Sequence, residues 1–172
     1  MFGPRGGTAA PNRKARRQVK PAHLPDPSFC NNAVLRRATR QMGQLYDDVL
    51  APCGLRGPQF GLMVQSRFMQ EPTMREMAQA LVMDLSALGH SLKPLVRDGL
   101  VELVADPRDR RAKRVTLTRL GGEKLDEAMR LWRVAQDRFE AAFGVERAAE
   151  LRATLAFVAS PEFSEAFLGS TN

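Results

Sequence analysis

Apolar residues recur at helical spacing along most of this chain, and the interruptions divide it into a small set of elements. Before residue 29 no such period exists. Gly3, Pro4, Gly6, Gly7, Pro11, Pro21, Pro25 and Pro27 punctuate a polar stretch, which reads as an extension (residues 1–28) without a packed core. From about Asn31 to Ala51, Val34, Leu35, Ala38, Met42, Leu45, Val49 and Leu50 recur at three- and four-residue steps, with Arg36, Arg37, Arg40, Asp47 and Asp48 mostly on the other face. That spacing predicts an amphipathic helix, stopped by Pro52 and Gly54. Three shorter helices follow. The first starts with Pro58 at an early helical position, carries Phe60, Leu62, Met63 and Phe68, and ends before Pro72. The second opens at Thr73 with Glu76 three residues on, the spacing of a capping box, and has Met77, Ala80 and Leu81 on its apolar side. The third opens at Asp84, a good N-cap. Its Leu85, Leu88, Leu92, Leu95 and Val96 are expected inward, and Ser86, Gly89, His90, Lys93 and Arg97 outward. Pro94 should end this helix early, near Lys93.

The period then changes. Asp98-Gly99 marks a turn, and Leu100, Val101, Leu103 and Val104 read as a short strand. A second strand, Arg114 to Thr118, alternates Val115 and Leu117 with polar neighbours. The charged loop from Ala105 to Lys113 joins them into a hairpin. Thr118 caps a helix running to about Phe143, with Leu120, Leu125, Ala128, Trp132, Ala135, Phe139 and Phe143 in period. About 25 residues span roughly 38 Å, more than one small domain buries, so this helix is expected to reach a partner subunit. Gly144 breaks it. A last helix, Glu146 to about Val158, carries Leu151, Leu155 and Val158 and is ended by Pro161, after which Phe163, Phe167 and Leu168 form an apolar tail.

Composition narrows the choices. The 172 residues suffice for one core plus a helical arm, and a formal net charge of +7 favours an anionic partner. Much of that charge is in the extension, where Arg5, Arg13, Lys14, Arg16, Arg17 and Lys20 face only Asp26, so the folded part needs evidence of its own. Two cysteines, Cys30 and Cys53, and two histidines, His23 and His90, fit neither a disulfide scaffold nor a structural zinc site. No cofactor motif is present, no apolar run reaches membrane-spanning length, and the N-terminus lacks the apolar stretch of a signal peptide. A cytoplasmic protein is expected. Paired acids, a Ser/His/Asp set and a phosphate-binding Gly loop are all missing, which argues against an enzyme.

Three short helices followed by a charged hairpin is the order of a winged helix-turn-helix. A helix entering the major groove needs small or polar groups on its outer face so that the backbone can approach base edges. Ser86, Ala87, Gly89 and His90 offer that surface, with Lys93 and Arg97 placed to meet phosphates. The segment Asp106 to Arg114 packs five cations and two carboxylates into nine residues. Arg108, Arg110, Arg111 and Lys113 can reach phosphates or the minor groove. Asp106 and Asp109 are expected to structure the wing, each able to hold a neighbouring arginine in a bidentate pair; Arg108 is one such partner.

These motifs resemble the MarR family of bacterial regulators. Asp106, Arg108, Asp109 and Arg111 match the family's Asp-x-Arg-Asp-x-Arg wing pattern. Arg114 through Gly121 is similar to its second wing strand and the start of its long helix, and Leu45-Tyr46 through Phe60 resembles the join between its first two helices. The resemblance covers about residues 30–160. It implies a mainly α fold with a small β-hairpin wing and a helical dimerisation region. Residues 29–54 and 119–172 would build the dimer, and residues 55–118 the DNA-binding lobe. It further implies a homodimer on a pseudo-palindromic operator of double-stranded DNA, a repressor released by a ligand or an oxidant. Where the family often carries a polar-basic pair, this chain has Gly89-His90, so base reading would rest more on His90, Ser86 and the wing.

Several residues admit two readings. Arg36, Arg37, Arg40 and Tyr46 could line a pocket for a small aromatic or phenolic effector, or form a solvated face with a tyrosine at its packing edge. Cys30, near a helix N-terminus, is a candidate redox sensor or a passive thiol. Met63, Met69, Met74, Met77 and Met83 read as core filler. A nonspecific architectural DNA binder using the basic extension and wing is the alternative to a sequence-specific regulator.

Overall fold

A computed structural model describes residues 26–169; the cations of the extension, Arg5 to Lys20, and His23 lie outside the described residues. By its contacts the chain divides into two units, Met1–Arg37 and Ala38–Asn172. In the first, Asp26 caps a 3-10 turn at Pro27–Phe29 by accepting from the Ser28 N–H at 2.9 Å, and helix α1 (Asn31–Leu50) begins.

The second unit holds the remainder of α1, then α2 (Gly57–Phe68), α3 (Met74–Ala80), α4 (Leu85–Arg97), β1 (Val101–Ala105), β2 (Lys113–Leu117), α5 (Arg119–Phe143), α6 (Val145–Val158) and α7 (Pro161–Gly169). The fold is mainly helical with one antiparallel hairpin, in which Val101 faces Leu117 and Ala105 faces Lys113. Local signals set most boundaries. Thr73 and Glu76 form a reciprocal capping box, and Asp84 and Thr118 accept from the N–H groups of Ala87 and Gly121. Asp47, on α1, accepts from the Gly57 N–H at 2.6 Å and so satisfies the start of α2 from outside it.

The core lies where α2, α3 and α4 meet the hairpin and the first half of α5. Met63, Met77, Leu88, Leu95, Val115 and Leu125 are among its fully buried side chains. Ser66 is buried there and donates its hydroxyl to the Val115 carbonyl at 2.8 Å, tying α2 to β2. Arg67 bridges α2 to α5 through Asp126 at 2.6 Å and the Gly122 carbonyl at 3.1 Å.

Four features differ from expectation. α4 runs through Pro94 to Arg97. The bond forgone is the one to the carbonyl four residues back, at His90, which is on the exposed side where water can satisfy it. Phe68, Leu85 and Val96 are exposed rather than inward, because Phe68 ends its helix and the other two flank the buried stripe Leu88, Leu92, Leu95. Pro161 starts α7 rather than an irregular tail; proline is well placed at a first helical position. Finally, β2 spans Lys113–Leu117, with Thr118 given over to capping α5.

Candidate nucleic-acid interface

The α4 N-terminus is fixed by Asp84, whose Oδ1 accepts from the Ala87 N–H at 2.7 Å. This sets the rotation of the helix, and its unburied side then carries Ser86, His90, Lys93 and Arg97 exposed, with Ala87 and Gly89 half-buried. The His90 Nδ1 lies 3.2 Å from the Ser86 carbonyl, one turn back, leaving Nε2 directed away from that contact. Gly89, Leu92, Lys93, Val96, Arg97 and Leu103 line a cleft of about 290 Å³ between α4 and β1. Arg97 does not point freely outward, because Nε bonds Asp98 at 2.8 Å. That bond raises the guanidinium's pKa and lowers that of the carboxyl.

The turn leading into α4 is strained. Val82 has φ 52°, a left-handed conformation that β-branched residues disfavour. A second such stretch precedes α3, where Gln70 and Glu71 have φ 55° and 62°.

The hairpin tip is an ordered loop. Asp106 is buried, and its Oδ1 accepts from the N–H groups of Arg108 at 2.6 Å and Asp109 at 3.2 Å. Asp109 in turn accepts from the Arg111 N–H at 2.9 Å, and the Ala112 N–H reaches the Asp109 carbonyl. The backbone bond from Arg108 is the largest influence holding the Asp106 carboxyl below the usual aspartate range, with Asp109 and Arg114 adding to it against burial. The guanidinium paired with Asp106 belongs to Arg114, at 2.7 Å, and not to Arg108, because Arg108 is engaged through its backbone and its side chain is left outside. Among the described residues no ion pair engages Arg108, Arg110, Arg111 or Lys113, and all four are exposed.

The structure thus brings an exposed helix face and an exposed set of cations onto consecutive elements. Arg75, exposed in the first turn of α3, adds a cation that sequence reasoning did not single out. Its place two residues after the Thr73 cap was the available signal.

Other candidates are placed elsewhere. Arg40 is exposed, and Tyr46, half-buried, bonds Gln136 of α5 instead of any arginine. Burial raises the phenol's pKa, opposed by the Arg152 charge. Arg36 and Cys30 are exposed in the first unit. Cys53 is buried and donates to the Leu50 carbonyl at 3.0 Å. Among the described residues no group of three His, Cys, Asp or Glu side chains could hold a metal ion, and no helix is long and apolar enough to cross a membrane.

No family model and no curated protein matches the chain. Solved structures do. The chain is similar to the M. tuberculosis transcriptional regulator MosR in complex with DNA, at 34% identity over 80% of this chain and 97% of that one, with a TM-score of 0.70. It is similar to CouR from Rhodococcus jostii bound to p-coumaroyl-CoA, at 25% identity over 80% and 97%, TM-score 0.67. A cysteine-to-serine mutant of E. coli MarR complexed with operator DNA matches at 26% identity over 74% and 91%, TM-score 0.65.

Proposed function

The chain belongs to the MarR family of winged helix-turn-helix transcriptional regulators, and from that premise we propose that it is a ligand-responsive repressor that grips a pseudo-palindromic operator as a homodimer. The observation that carries this reading is the wing. Its backbone is pinned by Asp106 and Asp109, while Arg108, Arg110, Arg111 and Lys113 are left outside it with no ion-pair partner among the described residues. Cations on a preorganised tip reach phosphates or a narrow minor groove without the entropic cost of ordering the loop. In the same reading α4 enters the major groove, Ser86 and His90 meet base edges across the low surface of Ala87 and Gly89, and Lys93 meets a phosphate. Arg97 takes part only by exchanging Asp98 for phosphate.

Residues 55–118 form the DNA-binding lobe in this proposal, and the helices of 29–54 and 119–172 the dimer. Support for the dimer comes from apolar side chains left exposed on these helices, among them Leu45 of α1, Leu155 and Phe157 of α6 and Phe167 of α7. A two-fold dimer places two half-sites about one helical turn apart. The effector in this proposal is a small aromatic or phenolic compound, a reading supported only through the phenolic acyl group of the p-coumaroyl-CoA bound to CouR. The protein acts in the cytosol and catalyses no reaction.

Selection of bound genomic fragments followed by footprinting tests this. A protected pseudo-palindrome of roughly 20 base pairs is expected; equal binding to all sequences overturns the specific-regulator reading. Replacing Arg110 and Arg111 by alanine should weaken binding and reduce the salt slope by roughly 0.9 for each phosphate no longer neutralised. An unchanged slope shows that the wing does not touch the duplex.

A further inference from the structure

Arg114 is the cation in the wing motif that the loop does not present outward. Its Nη2 pairs with the buried Asp106 carboxylate at 2.7 Å, and its side chain is only 26% exposed. Its Nη1 donates to the Glu71 carbonyl at 2.7 Å, across 43 residues of sequence. Three parts of the fold therefore meet on one guanidinium: the end of β1, the start of β2, and the left-handed Gln70–Glu71 turn that leads into α3. The backbone supports the same junction from beneath. Arg114 forms a β-bridge with Thr73, and the Val115 N–H donates to the Pro72 carbonyl at 2.8 Å. Those bonds engage the second and third residues of β2, near the hairpin tip. Among the described residues the Arg114 side chain is the outermost tie between hairpin and helices, since the hydrogen bonds of Arg108 to Ala112 stay within the hairpin.

We propose that Arg114 is a positioning residue. It locks the hairpin tip to the turn before α3 and so sets where Arg108, Arg110 and Arg111 stand against a duplex, without itself touching nucleic acid. The inference rests on the DNA-binding reading above for its consequence, though not for the lock itself. Chemistry favours the fork of an arginine at this place. One nitrogen meets a carboxylate and the other a carbonyl in a fixed plane, which a lysine ammonium, a single point charge, cannot reproduce. A guanidinium already paired with a buried carboxylate also has little to offer a phosphate. The lock explains how Gln70 and Glu71 are held in conformations that non-glycine residues seldom keep without support. Glu71 is fixed from both sides, its N–H on the Ser66 carbonyl and its own carbonyl on Arg114.

The test compares Arg114→Gln and Arg114→Lys with the unaltered chain; the lysine variant keeps the charge and guards against loss of fold. In protein without DNA, amide exchange at Arg108 and Asp109 should quicken by roughly fivefold or more in both variants. Unchanged protection overturns the lock. Affinity for a labelled mixed-sequence duplex of about 24 base pairs should fall about tenfold in both variants. It should fall less than about twofold when the same changes are made in a chain already lacking Arg110 and Arg111, because the cycle isolates what Arg114 does through them. Full additivity, or rescue by lysine, overturns the positioning role in favour of a direct phosphate contact. If the unaltered chain binds neither this duplex nor any selected genomic fragment, the regulator reading and this role in it fall together, a failure told apart by exchange rates that still respond to the substitutions.

Discussion

Replacing Gly121 by alanine tests how closely the wing is set against the long helix. A Cβ at Gly121 would lie 1.9 Å from the Leu100 carbonyl oxygen, 2.8 Å from its carbon and 3.2 Å from its Cα. Every one of these is a backbone atom, so no rotamer can give way. Carbon and oxygen approach to about 3.3 Å at closest, and the first turn of α5 must part from Leu100 by roughly 1.4 Å. The Thr118 N–H bond to the same carbonyl, 3.1 Å long, would not survive that shift. Overpacking costs about 1–3 kcal/mol and the lost bond about 1 kcal/mol, while alanine recovers about 1 kcal/mol of helix propensity. The net expectation is a loss of roughly 1–3 kcal/mol. Urea unfolding should show a midpoint lowered by about 1 M at an unchanged slope. Gly122→Ala is the control, since its Cβ would meet only the tip of the Arg67 side chain at 3.5 Å. Propensity alone predicts that both changes stabilise. A Gly121→Ala protein as stable as Gly122→Ala would refute the steric argument.

Two further outcomes are expected. Val82→Gly removes about 1–2 kcal/mol of left-handed strain against about 0.4–1 kcal/mol of added unfolded-state entropy. The thermal midpoint should therefore rise, and a fall would count against strain in this turn. The Asp106 carboxyl has its pKa lowered by the bonds it accepts, so the folded state holds that proton less tightly than the unfolded one. Its contribution is whole above the ordinary aspartate pKa near 4 and is lost as pH falls through the lowered value. Amide resonances of Arg108 and Asp109, followed downward from neutrality, should stay put until the pH is below about 4; movement between about pH 6 and 7 would contradict this.

What could be read from the sequence was what is local. Thr73 with Glu76, Asp84 and Thr118 announce their helices through a hydrogen bond spanning three residues, and the charged run between two β-rich segments announces the hairpin. Periodicity identified the stripe Leu88, Leu92, Leu95 yet included Leu85 and Val96, because a period tells which residues share a face and not how far the covering layer extends. Pro161 carries the same letter whether it stops one helix or starts the next. The left-handed residues Gln70, Glu71 and Val82 gave no glycine signal, and the partnership of Arg114 with Glu71 crosses 43 residues. Within the candidate interface the exposed cations were legible from composition. Arg114 read only as the first residue of a strand, and nothing local marked its two partners, since only the fold turns it toward Asp106 and Glu71.

The burial of Asp106 also bears on kinetics. Of the two carboxylates in the wing segment, the buried one cancels against Arg114 within the protein, and four of the five cations stand outside. An approaching polyanion meets a positive field before any contact forms. Association steered in this way is fast, by roughly one to three orders of magnitude over the unsteered rate, and it falls steeply with ionic strength. The wing would then govern how quickly a duplex is found, and the fit of α4 in its groove how long it is held.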